Sequence, residues 1–77
     1  MSIIEAIHES ANAGNEQISV DFDGSYNDFK WENSRLTAGA TKDLSFYPHV
    51  HNALQKTVTL SGVYQKHAWT VIVKLAN

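Results

Sequence analysis

The spacing of apolar residues changes once, near Gly14, and that change decides which class of fold is open to the chain. Before it, Ile3, Ile4, Ile7 and Ala11 recur three and four residues apart, which sets them on one stripe of a helix with Glu5, His8, Glu9 and Asn12 largely outside it. After it, Ile18, Val20 and Phe22 alternate with Ser19, Asp21 and Asp23, the period of a strand with one buried and one wet face. A helix and strands within 77 residues have to share one core, so the expected class is α+β in a single small domain spanning residues 1–77.

The first helix carries its own start and stop. Ser2 and Glu5 form a capping box, in which the Ser hydroxyl and the Glu carboxylate each accept an amide N–H that the first turn leaves free. Gly14 ends the helix, because a left-handed residue there costs Gly no clash with a Cβ.

Asp23, Gly24 and Ser25 predict a turn, and Phe29 and Trp31 alternate with Lys30 and Glu32, which predicts a first hairpin with both aromatics facing the core. Residues 37–43 are small and polar, as in a loop. Leu44 and Phe46 suit a short strand, and Pro48 suits the first position of a short second helix near residues 48–56 that carries Val50, Ala53 and Leu54. Val58 and Leu60, then Trp69, Val71, Val73 and Leu75, predict a second hairpin. Ile72 interrupts the polar face of the last strand, so this strand is expected to be central. The fold expected is an N-terminal helix packed on a four-stranded antiparallel sheet of two hairpins.

A chain of this length buries only roughly 60% of its unfolded surface, which makes its core marginal, and a homodimer is expected to supply the missing burial. The absence of Cys removes disulfides, thiolate nucleophiles and Cys-type zinc sites together, and points to the cytoplasm. Apolar runs are only two or three residues long and Met1 opens onto a polar Ser, so neither a membrane span nor an export signal is expected.

Charge is divided unevenly. Residues 1–32 hold seven acids (Glu5, Glu9, Glu16, Asp21, Asp23, Asp28 and Glu32) against Lys30, a net of −6, whereas residues 33–77 hold Asp43 against Arg35, Lys42, Lys56, Lys66 and Lys74, a net of +4. In the expected hairpin Asp21 and Asp23 share an outer face with Asp28 and Glu32 on the facing arm, and Tyr26 stands at the tip. Such a face attracts a basic partner and speeds its approach. The bland alternative is that Lys and Arg of the second half neutralise these carboxylates across the sheet.

Other chemistries have weaker support. Asp21, Asp23, Ser25, Asn27 and Glu32 match the spacing of a calcium loop, but Tyr26 stands where Gly should make the sharp turn, and a strand precedes it instead of a helix. His49 and His51 could chelate a metal on a strand, where residues two apart face one way, but diverge on the expected helix; His8 and His67 have no motif spacing to either. No Gly-x-Ser-x-Gly elbow, zincin His pair or phosphate-cradling Gly loop occurs. One Arg and five dispersed Lys are too few and too scattered for direct nucleic-acid binding.

The sequence therefore predicts a non-enzymatic interaction module without a cofactor, whose partner-binding residues are Asp21, Asp23, Tyr26, Asp28 and Glu32. It would serve as a small inhibitor, of the immunity or anti-defence type, that masks a basic nucleic-acid-binding surface of a protein partner. The alternatives are an oligomerising accessory subunit with no target of its own, and a small metal protein or enzyme.

Overall fold

The computed structural model describes residues 2–39, 44–46 and 49–77. Helix α1 (Ile3–Asn12) leads into strand β1 (Gln17–Phe22), helix α2 (Tyr26–Ala38), the short strands β2 (Leu44–Phe46) and β3 (Val50–Asn52), and the long hairpin β4 (Thr57–Tyr64) and β5 (His67–Leu75). The α+β class holds. The sheet is mixed, however, with the order β1-β5-β4-β2, and β3 shares the outer edge of β4 with β2.

Two expectations are corrected. Residues 29–32, expected to supply the second arm of an antiparallel hairpin with β1, lie within α2, which also takes in Thr37 and Ala38 from the start of the expected loop, and β1 instead pairs in parallel with β5. The second helix expected near 48–56 is absent from its described part: residues 50–52 are strand β3 and 53–56 are turn, while Pro48 lies outside the described residues. The β4–β5 hairpin, the short strand at Leu44 and Phe46, and the central place of the last strand are as expected.

α1 is built as its sequence implies. The Ser2 Oγ accepts from the Glu5 N–H at 3.1 Å and the Glu5 carboxylate accepts from the Ser2 N–H at 3.0 Å. Gly14 takes φ +71° beyond the last turn, and the Asn15 N–H donates to the Ser10 carbonyl at 3.0 Å, closing the helix end with a Schellman bond. Ile3, Ala6, Ile7 and Ala11 are buried against β5, β1 and β4.

Both helices lie on one face of the sheet. Ile18, Val20 and Phe22 stand opposite Val71, Val73 and Leu75, and Val58 and Leu60 stand opposite Val73 and Val71, so these side chains share a face. His8 of α1 stacks on Tyr64 at one end of that face, and Phe29 of α2 meets Phe22 edge-to-face at the other. Phe29 and the buried residues of α1 belong to a single apolar core with the strands. Among the described residues the opposite face, with Ser19, Thr59, Ser61, Thr70 and Ile72, has no helix over it.

Candidate functional site

The β1–α2 junction gathers most of the residues singled out from the sequence. β1 ends at Phe22, Asp23 and Gly24 turn the chain, and Ser25 caps α2. The Asp28 Oδ2 accepts from the Ser25 N–H at 2.9 Å and from the Ser25 hydroxyl at 3.0 Å. Gly24 permits this: a Cβ there would lie 2.9 Å from the Asp28 Oδ2 and from the Phe22 ring, closer than packed atoms approach. The Ser25 N–H, then the Ser25 hydroxyl, hold the Asp28 carboxyl below the usual carboxylate range, so it stays ionised.

The carboxylates are not one hairpin face. Asp21 is exposed on the helix-free face of β1, opposite Lys74 in the register, and Asp23 is exposed in the turn that follows. Asp28 and Glu32 lie one turn apart on α2. Glu32 makes the single ion pair among the described residues, with Arg35 at 3.7 Å. Asp21, Asp23 and Asp28 thus follow the chain around the junction, from the helix-free face of β1 through the turn to the first turn of α2, as an acidic corner that Glu32 extends along the helix.

Tyr26 is in the first turn of α2, not at a hairpin tip, and is half-buried. Its ring stacks on His51 with centroids 3.7 Å apart and planes 6° from parallel, and its hydroxyl shares a 2.9 Å hydrogen bond with the His49 Nε2. Phe29 meets His49 edge-to-face, and the Lys30 Nζ lies 5.1 Å from the centre of the Tyr26 ring. These contacts pin the start of α2 to β3. On the helix expected here His49 and His51 diverge; in the extended chain, with His51 on β3 and His49 just before it, their two-residue spacing brings both to Tyr26.

Beside this cluster an open cleft of about 400 Å³ is lined by Ser25, Tyr26, Asn27, His51, Lys56 and Leu75 among others. Among the described residues no serine hydroxyl bonds a histidine, and no three His, Cys, Asp or Glu side chains come close enough to hold a metal ion. Asp21 to Glu32, read as a calcium-loop spacing, run through a strand end and a helix.

No protein-family model, curated protein or solved structure matches this chain.

Proposed function

We propose that the chain is a non-enzymatic interaction module that meets a basic surface of a protein partner with the acidic corner at the β1–α2 junction. The observation that supports this most is that Asp21, Asp23 and Asp28 are exposed without an ion pair among the described residues, although Lys74 stands opposite Asp21. Three exposed carboxylates within eight residues of chain, none of them in an ion pair among the described residues, keep their field for a partner, and their pull on a basic surface weakens with salt. The role that fits is occlusion: a small rigid body covering a basic nucleic-acid-binding site, as an immunity or anti-defence inhibitor does. Asp21, Asp23, Asp28 and Glu32 would supply the charge. Tyr26, stacked on His51, would be a fixed contact beside them.

The test is capture from the source cell by the wild-type chain and by Asp21→Lys/Asp23→Lys, followed by mass spectrometry and a salt series. A basic protein held by the wild type, lost by the variant and released at high salt is expected. Equal retention by both chains would count against the acidic corner. A second reading, an oligomerising subunit without a target of its own, is favoured by β1, which among the described residues pairs on one side only.

A further inference from the structure

We propose that the free edge of β1 pairs antiparallel with β1 of a second copy about a two-fold axis at Ser19, joining two sheets into one. This deepens the oligomeric reading, on which it rests, and takes Asp21 alone from the acidic corner, so its test substitutes Gln17 and Ser19 and leaves Asp21, Asp23 and Asp28 unchanged.

The argument begins with the direction of the backbone groups. The Ala76 N–H donates to the Phe22 carbonyl at 3.1 Å, which fixes Phe22 as a residue whose N–H and C=O point towards β5. By alternation Ile18 and Val20 also face β5, and Gln17, Ser19 and Asp21 turn their N–H and C=O outward. Because β1 ends the strand order, these outward groups have no neighbouring strand among the described residues. All three residues are exposed.

An axis through Ser19, normal to the sheet, sets Ser19 opposite Ser19 and Gln17 opposite Asp21 of the second copy, in both directions. Each of these is a pair in which both residues present outward groups, so every free N–H and C=O of the three is matched. The side chains agree with that register. Each Asp21 carboxylate stands beside a Gln17 amide that can donate to it, whereas an axis at Asp21 would oppose two carboxylates. On the covered face Ile18, half-buried in one copy, comes beside Val20 of the other. The axis keeps the helices of both copies on the same side of the joined sheet. The marginal core of so short a chain gives such an extension a thermodynamic use.

Sedimentation equilibrium from about 1 µM to about 1 mM, on the full chain, tests the proposal. A reversible dimer is expected. Gln17→Asp, which opposes carboxylates at both symmetric pairs, should raise the dissociation constant roughly two- to thirtyfold, and Gln17→Lys should lower it by a similar factor. Ser19→Pro removes an outward N–H that the β1–β5 ladder does not use, and should abolish dimerisation while circular dichroism stays unchanged. A wild-type monomer throughout that range overturns the proposal. A dimer indifferent to both Gln17 substitutions also overturns it, and would leave the broader oligomeric reading standing on another surface.

Discussion

Ser10 and Thr70 are joined across the helix–sheet boundary: the Thr70 N–H donates to the Ser10 Oγ at 2.9 Å, and the same hydroxyl donates to the Glu16 carbonyl at 2.6 Å. The hydroxyl thereby occupies the rung that a continuing parallel ladder would place between Thr70 and Glu16. Ser10 is fully buried, and this arrangement explains a polar residue on the inner face of α1.

Ser10→Ala removes the relay and leaves a strand N–H and a carbonyl facing each other across a gap. A loss of about 2 kcal/mol is expected in urea unfolding, with the slope unchanged and the Thr70 amide exchanging faster. A loss below about 0.5 kcal/mol would show that solvent satisfies both groups.

Phe29 and Trp31 give the clearest contrast between the two periods. Alternation puts both in a core, but on α2 they are about 200° apart, and Phe29 is fully buried while Trp31 is 75% exposed. Phe29→Ala should cost about 3 to 5 kcal/mol and Trp31→Ala less than about 0.5 kcal/mol. Equal costs would restore the strand reading of this segment.

The legible parts of the fold are those whose signals are local and redundant. α1 has a cap, an apolar stripe and a terminal Gly that agree, and β5 alternates through four buried residues, Trp69 to Leu75. α2 has a thin stripe: Tyr26, Phe29 and Leu36, with half-buried Asn33 between the last two, compete against the shorter alternation of Phe29 and Trp31. Its other sign was a second capping box, Ser25 with Asp28, in which the acid is the short Asp instead of Glu. The parallel partner of β1 could not be read, because alternation fixes which face is buried and not which strand lies beside it. Asp21 keeps the outer face of β1 that alternation gives it, whereas Asp23 falls in the turn beyond the strand and Asp28 and Glu32 follow α2.

The two capping boxes also set an acid limit. The Ser2 N–H first, then its hydroxyl, hold the Glu5 carboxyl below the usual carboxylate range, and Ser25 does the same for Asp28. A folded-state value below the unfolded one contributes stability that is present above the unfolded value and lost as pH falls through the folded one. Thermal melts followed by helical ellipticity should therefore weaken below the normal carboxylate range, and Glu5→Gln/Asp28→Asn should make that acid-side decline shallower. An unchanged decline in the double variant would assign it to other carboxylates.

The β4–β5 turn stores strain that can be removed. Tyr64 pairs with His67, so only Gln65 and Lys66 make the reversal, and both adopt left-handed backbone at φ 50° and 68°. This is the two-residue turn whose twist matches that of its strands, and Asn followed by Gly suits it because Gly has no Cβ to clash and the short Asn amide offsets its own clash by bonding nearby backbone. Part of the gain is offset, since Gly adds freedom to the unfolded chain. Gln65→Asn/Lys66→Gly should still stabilise by about 1 kcal/mol, a rise of about 4 to 8 °C in Tm for a domain of this size. The hairpin joins the central strand to its neighbour, so the gain should appear in global unfolding and not only in local amide exchange. A Tm that falls would mean that Gln65 or Lys66 makes side-chain contacts worth more than the relief of its backbone.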